Sequence, residues 1–253
     1  MQILLASAKI MNTKADTVAP VVSRPRYESE AAQMALELCQ WSTDELARRL
    51  QCSTAIAADN HLRYQQFADE SQKLPAVLAY YGQAYKYLKA NELTADDLRY
   101  AQDHLLITSF LYGLLRPLDL IHPYRMEGKV RLAHTADQSL FDWWKPLITD
   151  MLIDAVKADD GVLLHLATEE MEHLFDWRRV EREVRVVQPL FYAEKGDVLK
   201  VVTVYAKSCR GAMARYALTH RAATPEALSG FSLGKYVFDP RYGDAEHPHF
   251  VSR

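Results

Sequence analysis

Cysteine is scarce in this sequence: Cys39, Cys52 and Cys209 are the only three in 253 residues, and no C-x-x-C pair occurs. A disulfide framework or a cysteine-only zinc site is thereby excluded as the organising principle. Long apolar runs are missing too, and none approaches the roughly 20 residues that cross a bilayer as a helix. The opening Met1–Ala6 lacks the basic leader and the length of a secretory signal. It reads as a short buried strand, and a cytoplasmic location is expected. Nothing matches G-x-G-x-x-G, a Walker A loop or H-E-x-x-H. Internal repeats, low-complexity tracts and linker-like stretches are also absent, so one domain over residues 1–253 is expected.

What is present is ordinary for a folded protein, with 49% hydrophobic and 25% charged residues. The formal net charge of -3 excludes a uniformly basic, DNA-coating type. The distribution is uneven. Glu28–Asp103 carries 12 acidic and 7 basic residues, a balance of -5, and Arg178–Arg221 carries 10 basic and 4 acidic ones, a balance of +6. A polar or anionic partner for the basic region fits this asymmetry, and so does a solvated surface whose charges cancel elsewhere.

Residues 2–8 read as a first strand and Asn12–Arg26 as a long loop. Helices are expected over Glu28–Gln40, from Ser42 onward with Glu45 as its capping-box partner, over Ala55–Ala68 and over Val77–Lys89. Thr94 opens a helix that the pattern Leu98, Ala101, Leu105, Ile107 carries towards Leu115, with Pro117 as its stop. Lys129–Leu132 is a short strand at best, and Phe141–Val156 is a helix. Gly161–Leu166 and Glu183–Ala193 have strand character. The latter forms a hairpin with Val198–Ala206 across the turn Glu194-Lys195-Gly196-Asp197. Ser208–Arg221 reads as a helix, Thr224 starts a short one, and Phe231–Phe238 closes as strand. The class is mixed α/β (α+β): a mixed sheet ringed by helices.

Three stretches could carry chemistry. In Tyr205–Tyr216 a strand runs into a helix whose start bears Lys207 and Arg210. Cations there oppose the helix dipole unless an anion sits among them, and Gly211 would admit a ligand closely. The competing reading pairs both cations with solvent or with acids of the N-terminal half. In Leu105–Leu120 an apolar helix, Gly113, Arg116 and Pro117 loosely suit a helix-hairpin-helix that offers backbone amides to nucleic-acid phosphates. Spacing alone favours instead a packed helix end with Arg116 bonding its last carbonyls. The third stretch holds Arg125, Lys129 and Arg131 beside His122 and Tyr124, either a basic groove or a solvated loop. Weaker candidates are the E-x-x-H of Glu170–His173 and Cys209, whose cationic neighbours could lower its pKa, although a small buried cysteine is the commoner case. No metal or organic cofactor is expected.

Four stretches in order resemble the YaaA peroxide-stress protein family. They are Ser7-Ala8-Lys9, Leu111–Asp119 continuing to Pro123-Tyr124-Arg125, Leu166–Glu170, and Tyr205-Ala206-Lys207 with Arg210-Gly211. The resemblance implies a mixed α/β fold peculiar to the family, with a helix-hairpin-helix-like element beside a positively charged cleft. It also implies binding of double-stranded DNA, bent or distorted DNA included, and protection from hydrogen peroxide by limiting iron-dependent damage. The phosphate contacts would be Lys9, Arg116, Arg125, Lys207, Arg210 and Arg215, with Tyr112 and Gly113 shaping the hairpin. Ser7 and the cations Lys9, Arg116, Lys207 and Arg210 are expected on one concave surface.

The sequence departs from the family pattern in places. Ser7-Ala8-Lys9 lacks the proline of Ser-Pro-Ala-Lys, Gln83 stands for an Asp and Met171 for a Tyr. Ser208 and Cys209 stand for a Lys and an Ala. Two rival functions remain: an enzyme acting on a phosphorylated small molecule or nucleotide in the same cleft, and an iron or redox protein using Glu169, Glu170, His173 or Cys209.

Overall fold

The structure of the protein, a computed structural model, describes residues 1–196 and 198–253. The chain opens with β1 (Gln2–Leu5), buried at all four positions. Three helices follow. In α1 (Glu28–Leu38) Ala31, Met34, Ala35 and Leu38 form the buried stripe. Ser42 caps α2 (Thr43–Arg49) and Ser53 caps α3 (Thr54–Gln65), each hydroxyl accepting the backbone N–H three residues on.

The helix expected over Val77–Lys89 is split in two. After β2 (Leu74–Pro75) come α4 (Ala76–Ala79) and α5 (Gln83–Leu88). Between them the Tyr81 N–H is drawn to the Ile10 carbonyl, 2.8 Å away, which breaks the helical ladder.

Thr94 and Asp97 form a full capping box on α6 (Ala95–His104). The helix ends there and does not reach Leu115. Leu105–Ser109 is β3, which turns tightly into β4 (Gly113–Leu115) and leads to β5 (Leu120–Ile121). A run buried on every side suits a central strand as well as a helix, and pairing with β1 decides the matter. No second helix follows the turn, so a helix-hairpin-helix does not form at Thr94–Leu120.

The C-terminal half holds α7 (Leu140–Ala158), β6 (Val162–Leu166), α8 (Glu169–Glu172), α9 (Trp177–Glu183) and β7 (Arg185–Val187). The expected hairpin is present as β8 (Leu190–Lys195) and β9 (Val198–Lys200); of its turn, Asp197 lies outside the described residues. The returning strand stops at Lys200, and α10 (Thr203–Thr219) begins five residues earlier than expected. Last come β10 (Ser232–Leu233), β11 (Tyr236–Gly243) and β12 (Pro248–Ser252), so the final strand region is also a hairpin.

The fold is thus mixed α/β, as the pattern implies. One five-stranded sheet runs β4-β3-β1-β6-β7, parallel except for β4 at its edge. A second runs β10-β11-β12-β8-β9 and is antiparallel except between β12 and β8. Helix α10 lies against α5 and buries Cys209, Met213, Ala214 and Leu218. No helix of the described residues is long and apolar enough to cross a membrane.

Candidate functional site

Strands β1 and β6 are neighbours whose onward connections part company. From β1 the chain moves to β3 on one side, and from β6 it moves to β7 on the other. Open parallel sheets leave a crevice outside the carboxyl ends of such strands. A cleft of about 290 Å³ opens there. Ser7 and Lys9 enter it from the end of β1, Thr168 and Glu170 from the end of β6, and Lys207 and Arg210 from α10. The start of α5 (Gly82–Ala84) and the loop segment Arg125–Met126 complete the wall.

The cleft's cations fall into two classes. Lys9 Nζ lies 2.7 Å from one Glu127 oxygen, and Arg125 Nη2 lies 2.8 Å from the other, so a single half-buried carboxylate serves both. Lys207, exposed, and Arg210, half-buried, have no hydrogen-bond or ion-pair partner among the described residues. Burial lowers the Arg210 pKa, with the Glu172 charge only partly opposing it. Glu172 is engaged elsewhere: its carboxylate lies 3.0 Å from Nε2 of the buried His165. Desolvation pushes the His165 pKa down, so the ring is neutral near pH 7. Gln83 donates its amide to the Ser208 hydroxyl at 2.9 Å, joining the mouths of α5 and α10.

Of the residues singled out by sequence, the structure brings together Ser7, Lys9, Arg125, Lys207 and Arg210. Arg116 is elsewhere. Because β4 runs antiparallel, it carries Arg116 back to the opposite end of the sheet. There its guanidinium donates to the Gln102 carbonyl in the last turn of α6 at 2.8 Å, and its N–H donates to Asp119. The bond to a helix-end carbonyl is the one that spacing alone favoured, but the helix is α6 and Arg116 itself follows a strand.

Tyr112 is buried, its hydroxyl accepting the His122 N–H at 3.1 Å. Gly113 turns the β3–β4 hairpin at φ +75°, where a Cβ would lie 2.8 Å from the Trp144 ring. Arg215 donates to the Leu88 and Lys89 carbonyls at 3.2 and 2.9 Å and so holds the end of α5.

Two local expectations change, and the weaker reading of Cys209 falls away. Lys207 and Arg210 stand in the second and third turns of α10, not at its start, so the dipole conflict expected there is largely absent. Gly211 faces the Ala84 backbone and not a ligand. Cys209 is buried, and desolvation pushes its thiol up to about 12. We therefore expect iodoacetamide near neutral pH to leave Cys209 unlabelled in native protein and to reach it after denaturation. Peptide mass spectrometry showing rapid native labelling would contradict the burial. Among the described residues, no group of three or more His, Cys, Asp or Glu side chains could hold a metal ion.

One element went unrecognised in the sequence. Helices α2 and α3 are joined by Leu50–Ser53, with Gln51 in the left-handed region at φ +48° and the Cys52 N–H returning to the Ala47 carbonyl. This hairpin adjoins the cleft: the Tyr64 hydroxyl of α3 donates to the Arg125 carbonyl, and the charges of Arg125 and Glu127 act on the Cys52 thiol. Its signals were the two serine caps eleven residues apart, Ser42 and Ser53.

A family model described as Peroxide stress protein YaaA matches residues 1–242. Curated relatives called UPF0246 protein include one from Bacteroides thetaiotaomicron, 44% identical over 253 residues that cover 100% of this chain and 98% of that one. Another, from Phocaeicola vulgatus, is 45% identical over 248 residues, 98% of this chain and 97% of the relative. A more distant one, from Leptothrix cholodnii, is 38% identical over 245 residues, 95% and 94% of the two chains.

Proposed function

We propose, from the premise that this chain belongs to the YaaA peroxide-stress family, that it acts in the peroxide response by gripping duplex DNA at its phosphates. The observation that carries this reading is the pair Lys207 and Arg210, two cations in one cleft that make no hydrogen bond or ion pair among the described residues. A half-buried guanidinium loses hydration, and an incoming phosphate restores the balance with a charge-assisted hydrogen bond. Lys9 and Arg125 add charge at the same mouth. The first-turn N–H groups of α3 that Ser53 does not cap, beside the hairpin, would supply a second anchor for the backbone. Protection would follow from occupying DNA that iron and peroxide otherwise attack.

The test is fluorescence anisotropy with a labelled duplex at several salt concentrations. A logarithmic affinity falling steeply and linearly with logarithmic salt is expected, because each neutralised phosphate releases counterions. Absence of binding at low salt would end this reading. The enzyme alternative uses the same cations on one phosphorylated small molecule, whose binding would depend far less on salt.

Glu127 gives a second prediction. Its carboxylate competes with any anion for Lys9 and Arg125, so Glu127→Gln should tighten duplex binding about two- to fivefold. Freeing partly exposed cations from one carboxylate is worth about 0.5–1 kcal/mol. Weaker binding by a folded variant would show that Glu127 instead positions its two partners for DNA.

A further inference from the structure

We infer that the cleft seats one whole nucleotide, its 5′-phosphate between Lys207 and Arg210 and its base on the apolar part of the lining, and not merely a backbone phosphate. This rests on the DNA reading above and narrows it to a nucleotide that has left the base stack.

Size is the first argument. A cleft of about 290 Å³ stands at the lower end of small-molecule pockets, which run from about 300 to 1,000 Å³. It is far too small for a paired segment and larger than a phosphate group needs. The second is the division of its lining. The two unpaired cations stand on α10, whereas Ala6, Ala8, Phe110, Met126 and Met171 contribute carbon surface to the lining. A phosphate has no use for that carbon surface. A flat heteroaromatic base does, and thioethers such as Met126 and Met171 make favourable contacts with aromatic rings.

The third argument is the polar groups left over. Glu170 lines the cleft, is exposed and has no partner among the described residues. Its negative charge repels a phosphate but accepts from an exocyclic amino group, as carboxylates do with cytosine N4. Gln83, held through its amide nitrogen by Ser208, keeps its carbonyl oxygen available as a second acceptor. Turning a base out of a duplex costs least where it is already unpaired, so such sites should be selected.

Three labelled duplexes decide the matter by anisotropy: fully paired, carrying one extra unpaired deoxycytidine, and carrying a base-free deoxyribose at the same bulge. Deoxycytidine 5′-monophosphate and inorganic phosphate are titrated separately. The unpaired deoxycytidine should bind at least about tenfold more tightly than both other duplexes, since the base-free site shares its distortion but has no base. Ser7→Trp, which fills the cleft from its rim, should bring that ratio close to one.

Equal affinity for all three duplexes would overturn the inference while leaving duplex binding as the function. Deoxycytidine monophosphate binding far better than inorganic phosphate, with no DNA bound, would uphold the nucleotide site and overturn the DNA reading. If neither DNA nor nucleotide binds, both fall. The wild-type protein alone separates these outcomes, whether or not Ser7→Trp folds.

Discussion

Gly211→Ala is expected to destabilise the protein by about 2–3 kcal/mol, although alanine is the better helix former by about 1 kcal/mol. A Cβ at this position would lie 1.8 Å from the Ala84 carbonyl oxygen, 2.5 Å from its carbon and 2.8 Å from its Cα. These are backbone atoms of α5, and no rotamer change can move them aside. Helices α5 and α10 must part or the helix must bend. Parting loosens the packing of Cys209, Met213 and Ala214, all buried beneath α10.

The melting temperature should fall by roughly 4–12 °C for a chain of this size. The damage should also reach function. Gln83 opens α5 and Ser208 belongs to α10, and their 2.9 Å bond spans the same interface beside Lys207 and Arg210. A thermal melt checks the first effect and duplex anisotropy the second. An unchanged melting temperature would mean that the two helices do not approach as closely as described.

Replacing Lys207 and Arg210 together by alanine should weaken duplex binding by about 1–3 kcal/mol, or roughly 5- to 150-fold. The logarithmic salt slope should fall by up to about two units, one for each phosphate contact removed. Lys9→Ala should cost less. Its amine must loosen a 2.7 Å contact with Glu127 before it can serve a phosphate, so its contribution to binding is smaller. The double variant should melt close to the parent protein. Neither side chain makes a hydrogen bond among the described residues, and neither stands in the first turn of α10, where its removal would relieve the helix dipole. Unchanged duplex affinity in the folded variant would place DNA elsewhere or nowhere. Loss of nucleotide binding in the same variant, with duplex affinity unchanged, would favour the enzyme reading.

Much of the local structure was legible because its causes are local. Ser42 and Thr94 start helices through hydroxyls that reach an N–H three residues away. Gly161–Leu166 reads as a buried strand, and β6 (Val162–Leu166) occupies it. Two misreadings share one origin. Leu105–Ser109 follows a helical spacing yet pairs with β1, because a segment apolar on every face takes whichever form its neighbours complete. Val201–Val204 has β-branched composition yet begins α10 at Thr203, because the helix buries Ala206, Cys209 and Met213 together on one face.

For the site, the sequence alone determined which residues have the chemistry to hold an anion. Lys9, Arg125, Lys207 and Arg210 carry it, and so do Arg215 and Arg116, although spacing already favoured a helix-end role for Arg116. Tertiary structure decided which of them share a cleft. Charge belongs to a residue, but position at one end of a sheet belongs to strand direction. The parallel course of β1 and β6 delivers Lys9 and Glu170 to the carboxyl end, and the antiparallel course of β4 takes Arg116 away to a helix carbonyl. The reversal of β4 is a local hairpin with β3, but the end of the sheet at which it leaves Arg116 depends on pairings between residues about 100 to 160 apart in sequence, such as Ile3 with Leu105 and with Leu164, and no local pattern records those.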